Sequence, residues 1–232
     1  MMHGLILAGG DGSRLLASGV TEPKALVSIG GQPQLRRAAL TCFQLGCRSV
    51  TCAIRAGLAA DAAVVCAGLD ATIVPVQTTS SLHTLVEGLR VVPPGQVFCT
   101  LVDTVMPTVD WVAAHRVATG ALRDADAVIA VTPFVDDTSP LWVEVGPDGS
   151  VRSFGQRVAP VLVTGGVYWL GARARLAAAA AVASGVVRLR GFLSYLIDSG
   201  LRVRAVEVCR IIDVDTRDDL VLATALMRRE AH

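Results

Sequence analysis

The sequence predicts an α/β fold with three layers, in which helices cover both faces of a mostly parallel sheet. Three observations support this prediction. The 232 residues are enough for one medium-sized domain, and hydrophobic residues make up 52% of them, which can supply a large core. Short apolar runs alternate with longer stretches of helical character, and strands alternating with helices at this spacing build parallel sheets with right-handed crossovers.

The alternation is clearest in the first half of the chain. Apolar runs predict strands at residues 4–8, 49–54, 71–76, 97–102 and 127–132. Helices are predicted between them at residues 33–45, 58–67, 80–91 and 109–118. The first helix has Pro33 near its amino end and stops at Gly46, which is the usual asymmetry of helix termini. Ligands of such sheets bind at the carboxyl ends of the strands.

The second half predicts a small insertion. Alternating residues on both sides of a Gly-Pro-Asp-Gly turn, at 141–145 and 150–154, indicate a hairpin. An apolar segment at 161–170, helices at 172–183 and 191–199, a strand at 202–208 and a closing helix follow. Because no linker-like composition separates the halves, we expect one domain spanning residues 1–232, with the hairpin and its helices forming a lid or a binding pocket.

Composition argues against several classes of partner. The net charge of +1 leaves no excess of basic residues for binding nucleic acid or an anionic membrane. The longest apolar run, residues 176–187, is interrupted and falls short of the roughly 20 residues that span a bilayer. The amino terminus, Met-Met-His, lacks the basic start of a signal peptide, so we expect a cytoplasmic protein. The six cysteines form no Cys-x-x-Cys pair, and Cys66 and Cys99 are interpreted as small buried hydrophobes.

A glycine-rich turn directly follows the first predicted strand. Residues 5–15 read Leu-Ile-Leu-Ala-Gly-Gly-Asp-Gly-Ser-Arg-Leu. Glycines allow backbone N–H groups to approach an anion closely, and Arg14 and Lys24 add a planar fork and a point charge. The spacing matches neither a P-loop nor a dinucleotide fingerprint. The turn therefore predicts a local phosphate-binding site of a different kind.

Carboxylates supply a second set of candidate residues. Asp103 follows the predicted strand 97–102, where a Mg²⁺ ion shared with substrate phosphates is the usual use of such a group. An Asp that caps the turn before Pro107 is the alternative. Near the carboxyl end, Thr216 and Asp219 form a capping box for the last helix. Asp213 and Asp215 are not needed for that cap.

Residues 7–26 resemble the signature of the sugar-1-phosphate nucleotidylyltransferases. Leu-Ala-Gly-Gly-x-Gly-Ser-Arg-Leu is followed, after a loop, by Pro-Lys and an apolar pair. The resemblance implies a Rossmann-like, GT-A-like nucleotidyltransferase fold. It also implies that Arg14 and Lys24 are the catalytic cations. The nucleotide would then contact the turn at Leu7, Ala8, Gly9, Gly10, Gly12 and Ser13.

The same resemblance implies a metal pair. In the family, an aspartate before the last helix shares Mg²⁺ with the aspartate that follows a central strand, so Asp213 would pair with Asp103. Asp215 fits a variant of this pattern, and the choice between Asp213 and Asp215 stays open, with one of them as support for the other. A short Asp-x-Asp also occurs in metal-dependent glycosyltransferases, but those lack the glycine turn with its Arg and Lys.

Further residues follow from the resemblance at the base and acceptor ends of the site. Gln77 would read the base and Ser81 would let the nucleotide lie close, although serines at a helix start are also ordinary N-caps. Gly166 and Tyr168 match a strand beneath the sugar, where glycines for close packing are the alternative. Relatives carry Glu-Lys-Pro just upstream of that strand. This chain has Phe-Gly-Gln-Arg there, so Arg157 would replace the missing lysine.

Together these residues predict an enzyme that transfers a nucleoside monophosphate from an NTP to a sugar 1-phosphate or a similar phosphomonoester and releases pyrophosphate. The nucleotide-binding half would cover about residues 1–135 and the acceptor-binding half about 136–232. Residues 81–85 and the Asp-x-Asp-Thr segment also resemble cytidylyltransferases for phosphocholine-type acceptors, although an aromatic content of 4% poorly supplies an aromatic cage.

A non-catalytic nucleotide-binding regulator is the alternative of a different class, and the presence of Arg14, Lys24, Asp103 and Asp213 together argues against it. The sequence leaves the identities of the NTP and the acceptor open. It also leaves the oligomeric state open, with a homodimer as one option.

Overall fold

A nine-stranded sheet runs through the centre of the computed structural model, which describes residues 1–78, 80–135 and 139–230. The strands are β1 (Met2–Ala8), β2 (Ser28–Ile29), β3 (Gln32–Pro33), β4 (Val50–Arg55), β5 (Ala71–Val76), β6 (Gln96–Leu101), β7 (Thr104–Val105), β8 (Ala127–Thr132), β9 (Leu141–Val145), β10 (Val151–Phe154), β11 (Val163–Leu170), β12 (Val203–Glu207) and β13 (Ile212–Asp213). The helices are α1 (Ser13–Ala17), α2 (Gln34–Gln44), α3 (Ala59–Val65), α4 (Ser81–Val91), α5 (Thr108–Ala121), α6 (Ala172–Ala183), α7 (Leu189–Asp198) and α8 (Arg217–Glu230).

The order along the sheet is β10-β9-β11-β6-β1-β4-β5, and β8 joins β11 to β12. β1 lies in the middle, parallel to β4 and to β6, and its residues 3–8 are buried. β11 enters antiparallel between β6 and β8. Hydrophobic clusters fill both faces of the sheet. The predicted α/β class, a mostly parallel sheet between helical layers, is confirmed.

Most predicted elements occur within two or three residues of their expected bounds. Differences cluster near the carboxyl edge of the sheet. β6 ends at Leu101, so Asp103 lies in a turn before β7 rather than directly at the end of the strand. α7 begins at Leu189, two residues earlier than expected, and the expected helix at 58–67 is a short 3₁₀ turn followed by α3.

Five short elements were not predicted from the sequence: α1, β2, β3, β7 and β13. α1 has five residues and follows Gly12, whose φ of 68° opens the helix without a side-chain cap. β7 and β13 have two residues each and pair with one another. Elements this short carry too few residues for a periodic pattern.

The main sheet takes strands from both proposed halves of the chain. The boundary near residue 135 adjoins residues 136–138, which lie outside the described residues. The division into a nucleotide half and an acceptor half stays a prediction.

None of the helices in the described part of the chain combines the length and the apolar character needed to traverse a bilayer.

Candidate active site

A cavity of about 780 Å³ opens at the carboxyl ends of the central strands. Its walls come from the glycine turn after β1, the turn after β6, the starts of α4 and α7, and the strands β11 and β13. The cavity is lined by six residues that the sequence analysis assigned to the glycine turn or to its two cations: Leu7, Ala8, Gly9, Gly10, Arg14 and Lys24. This position agrees with the general rule for ligand binding to parallel sheets.

The glycines of the turn are explained by different structural features. A Cβ on Gly9 would lie 2.5 Å from Oγ1 of Thr84 on α4, so the turn packs against that helix. A Cβ on Gly10 would meet no atom within 4 Å, so this glycine faces open space in the cavity. Gly12 takes a positive φ, which turns the chain into α1. Gly12 and Ser13 shape the turn but do not line the cavity.

Two cations and two carboxylates form a chain of ion pairs at the cavity wall. Nζ of Lys24 contacts Oδ2 of Asp103 and lies 2.5 Å from Oδ1 of Asp215. Nη2 of Arg14 lies 2.5 Å from Oδ2 of Asp215. Burial lowers the pKa of Lys24, but the charges of Asp103 and Asp215 outweigh it and the net pKa is raised, so the lysine stays a cation.

Asp213 completes the acidic wall. Its Oδ1 accepts a hydrogen bond from Oγ1 of Thr104 at 3.0 Å. Burial and the charge of Asp103 raise the pKa of Asp213 to about 7, although Lys24 and the Thr104 hydrogen bond oppose the rise. A second positive charge beside Asp103 and Asp213 would relieve this repulsion.

The donor set at this wall fits a hard divalent cation, because carboxylate oxygens are the ligands that Mg²⁺ prefers. Within the described residues, no group of three or more His, Cys, Asp or Glu side chains is arranged to hold a metal ion. Two carboxylates would therefore need further oxygen ligands from a substrate, which is common for Mg²⁺ in sites that handle phosphates.

The acceptor-side residues predicted from the sequence are not all brought together. Gly166 and Tyr168 line the cavity. However, a Cβ on Gly166 would lie 2.4 Å from Cγ of Leu101, so this glycine is required by packing against β6. Arg157 does not line the cavity, and its guanidinium stacks over the ring of Trp142 at 5.2 Å. The geometry gives no support for an acceptor role of Arg157.

Of the two residues predicted at the base end of the site, one lines the cavity and the other does not. Gln77 is exposed and does not line the cavity, whereas Ser81 does. The oxygen Oγ of Ser81 accepts a hydrogen bond from the backbone N–H of Leu189 at 3.2 Å, and Ser80 serves as the N-cap of α4. Ser81 thus joins the start of α4 to the start of α7.

Sequence reasoning missed two further cations that line the cavity. Arg55 ends β4 and Arg190 belongs to the first turn of α7. Arg190 is close enough to Tyr168 to lower the pKa of its hydroxyl, although burial dominates and the net pKa of Tyr168 is raised. Neither arginine belongs to a motif. Only the position of Arg55 directly after an apolar strand was a usable signal.

No curated protein matches the chain, but solved structures share its fold. An inositol-1-phosphate CTP transferase from T. maritima has a TM-score of 0.84 at 15% identity and covers 100% of this chain and 97% of its own. A Bacillus anthracis protein designated a glucose-1-phosphate thymidylyltransferase, solved with a sucrose, has a TM-score of 0.80 at 18% identity, over 98% and 96% of the two chains. A nucleoside-diphosphate-sugar pyrophosphorylase from Vibrio cholerae RC9 has a TM-score of 0.68 at 17% identity, over 97% and 100%.

At such low identity these structures establish the fold, and the predicted GT-A-like nucleotidyltransferase fold is confirmed. The sequence itself establishes the family. The sequence model of the family described as the MobA-like NTP transferase domain matches residues 4–199, which is most of the chain. The protein is therefore a nucleotidyltransferase and belongs to the family of MobA-like NTP transferase domains.

Proposed function

We propose that this nucleotidyltransferase transfers a nucleoside monophosphate from an NTP to a sugar phosphate, with release of pyrophosphate. The observation that carries the proposal is the meeting of Arg14, Lys24, Asp103, Asp213 and Asp215 in one cavity beside the glycine turn. The structural neighbours are named for acting on sugar phosphates or a related cyclic alcohol phosphate, which agrees with this choice of acceptor.

The task of the protein is electrostatic. A phosphomonoester has its second pKa near 6, so at neutral pH it is already an anionic nucleophile and needs no general base. It must approach a triphosphate that repels it. Lys24 would offset the charge at the α-phosphate, while Arg14 and the N–H groups of the turn would hold the departing pyrophosphate. The scheme requires no covalent intermediate.

Nucleotidyltransferases of this kind generally use a divalent metal ion. We assign its ligands to Asp103 and Asp213, and the ion to Mg²⁺. When bound, it would reduce the repulsion between the acceptor phosphate and the α-phosphate. Asp215 already pairs with both Arg14 and Lys24, which favours a supporting role for it rather than direct coordination.

Arg190 is a better candidate than Arg157 for contacting the acceptor. It lines the cavity and lies close enough to Tyr168 to act on its hydroxyl. A guanidinium there could bind a phosphate with two parallel hydrogen bonds. Arg55, at the end of β4, lies instead on the side of the turn and of Asp11.

The proposal is tested by measuring pyrophosphate release with each of the four NTPs and Mg²⁺ against sugar 1-phosphates, inositol 1-phosphate and phosphocholine. We expect release with at least one sugar or inositol phosphate, and a rate lower by on the order of a hundredfold or more from the Lys24→Ala variant. Release with phosphocholine alone would favour the cytidylyltransferase alternative. NTP binding without release for any acceptor would favour a regulatory protein. A cytoplasmic location and a homodimer stay predictions.

A further inference from the structure

Behind the acidic wall of the cavity lies a buried arginine that the proposed reaction does not use. Arg37 sits on the inner face of α2 and is 8% exposed. Its Nη2 donates a hydrogen bond to the carbonyl oxygen of Thr104 at 2.9 Å. Its Nε is buried and has no hydrogen-bond partner among the residues that the structure describes. A buried polar group with incomplete bonding calls for an explanation.

Thr104 connects this arginine to the carboxylate of Asp213 and directly follows Asp103 in the chain. Its Oγ1 donates to Oδ1 of Asp213 at 3.0 Å, and its backbone pairs with Asp213 in the β7–β13 ladder. The next ladder contact runs from the N–H of Val214 to the carbonyl of Asp103 at 3.1 Å. A path of hydrogen bonds therefore leads from Arg37 through Thr104 to Asp213, and from the neighbouring Val214 to the backbone of Asp103 in the turn before β7.

The charge of Arg37 is costly where it lies. Burial lowers its pKa to about 10, although the nearby charge of Asp103 opposes the change, and the guanidinium stays charged at neutral pH. Replacing a buried ion pair as a whole by apolar residues of similar volume often costs no stability. Stability alone therefore gives a weak reason for an arginine at this position, whereas a second positive charge behind two carboxylates has a clear electrostatic use.

The same helix also holds the lysine. Gln34 lies three residues before Arg37, so the two side chains share a face of α2. Nε2 of Gln34 donates to the carbonyl oxygen of Lys24 at 3.0 Å. α2 thus contacts both the segment that carries Lys24 and the turn that carries Asp103, and it can fix the distance between them.

We propose that Arg37, acting through Thr104, is a positioning residue that holds Asp103 and Asp213 in the arrangement that binds the divalent cation. Arg37 does not touch the cavity, so it acts on the ligands and not on the substrate. The inference rests on the metal site of the proposed function. Groups that orient metal ligands in this way typically change metal affinity or activity by about 10–100-fold when they are removed.

The test measures binding of Mn²⁺ by electron paramagnetic resonance, with the protein alone and with added pyrophosphate. Thr104→Val removes the hydroxyl but keeps the shape of the side chain, and Thr104→Ser keeps the hydroxyl. We expect Mn²⁺ affinity to fall by about tenfold or more in Thr104→Val and in Arg37→Met. Thr104→Ser should stay close to wild type, and Arg37→Lys should fall between.

Two control variants match these changes outside the path. Arg36→Met removes a neighbouring arginine that bonds carbonyls of the α3 region, and Thr119→Val removes a hydroxyl that bonds backbone carbonyls within α5. Both should leave Mn²⁺ affinity unchanged. Thermal unfolding of each variant confirms that it is folded, and Thr104→Val carries the test if Arg37→Met does not fold.

The outcomes separate this inference from the proposed function. If the wild type binds Mn²⁺, Asp103→Asn abolishes binding, and Thr104→Val and Arg37→Met bind as tightly as the wild type, then the positioning role is wrong and the metal site stands. If the wild type shows no binding that Asp103→Asn removes, then the metal site is wrong and the positioning role is wrong with it.

Discussion

Lys24 forms ion pairs with two carboxylates of the site. It lies between Asp103 and Asp215, and its side chain is 14% exposed. Removing it takes away the cation that we propose acts on the substrate phosphates, and it also removes an ion-pair partner from each of two partly buried carboxylates, of which Asp215 keeps Arg14. These losses have separate signatures, because the first affects the rate and the second affects stability.

We therefore expect Lys24→Ala to lower the rate of pyrophosphate release by on the order of a hundredfold or more. The variant should also unfold at a lower temperature while keeping its native circular dichroism spectrum. Asp103→Asn should lower the rate by a similar factor. A variant of either kind with near-normal turnover would contradict the roles assigned to these residues.

Gly10 and Gly166 both line the cavity, yet the structure gives them different reasons to be glycine. Gly10→Ala adds a methyl group to open space, whereas Gly166→Ala forces a carbon against Leu101. We expect Gly166→Ala to lower the free energy of unfolding by about 1–3 kcal/mol and Gly10→Ala to leave it nearly unchanged. Urea unfolding measures both.

A second-site change makes the glycine comparison decisive. Leu101→Ala shortens the side chain that the added carbon of Gly166→Ala would meet, so the double variant should be less destabilised than the sum of the two single changes. Strict additivity would show that Gly166 is not limited by this contact.

Gly10 borders the predicted phosphate site, so Gly10→Ala should reduce the rate of pyrophosphate release rather than the stability.

At the scale of elements, α5 and β11 are joined by a pH-sensitive hydrogen bond. Nε1 of Trp169 donates to Nδ1 of His115 at 3.1 Å, which requires that this nitrogen carry no proton. Burial lowers the pKa of His115 below 6.5. The unfolded chain therefore binds a proton more readily than the folded one, and stability must fall as the pH drops below about 6.5.

The contribution of His115 is isolated by comparison with His115→Gln, whose amide oxygen can accept the same bond and does not titrate. We expect the wild type to lose more stability than the variant between pH 7.5 and pH 5, measured by urea unfolding. The loss should level off once the pH falls below the folded-state pKa of His115. Equal losses in both proteins would assign the acid sensitivity to other groups.

The central strands and most helices could be predicted because each carries its own signal in the sequence. β1 ends in the apolar run of residues 5–8, and Gly46 follows the end of α2. The ion pairs of Asp215 could not be predicted in this way, because its partners lie about two hundred residues earlier in the chain and only the folded sheet brings them together. The same holds for Arg190, which no local pattern distinguishes from other exposed arginines.

The family resemblance was informative about the glycine turn, whose backbone geometry is fixed. It was less informative about the direction in which a single side chain points. The glycine turn, Arg14, Lys24 and Asp103 are gathered at the cavity. Gln77 lies one residue after β5 and points to an exposed position, while the neighbouring Thr78 lines the cavity. A shift of one residue in an extended segment reverses the side-chain direction, and a resemblance alone cannot fix that register.

At the scale of the whole molecule, the two proposed halves share one sheet and two hydrophobic clusters. β6 pairs with β1 on one side and with β11 on the other, and β11 continues to β8 and β12. Each of the large clusters contains residues from both ends of the chain, such as Ile6 with Val206 in one and Leu5 with Leu193 in the other. Neither half can expose its core without exposing that of the other.

We therefore predict that the chain unfolds in a single cooperative step. Fluorescence of Trp111, Trp142 and Trp169, which lie on α5, β9 and β11, should change at the same urea concentration as the far-ultraviolet circular dichroism.

Adding an NTP with Mg²⁺ at about 100 times its dissociation constant should move both unfolding curves together, which corresponds to a stabilisation of about 2.7 kcal/mol. Lys24→Ala should show a smaller shift. Two separate transitions, with only one moved by the nucleotide, would mean that the halves are independent domains, because a ligand that binds one unit stabilises the other only when they fold together.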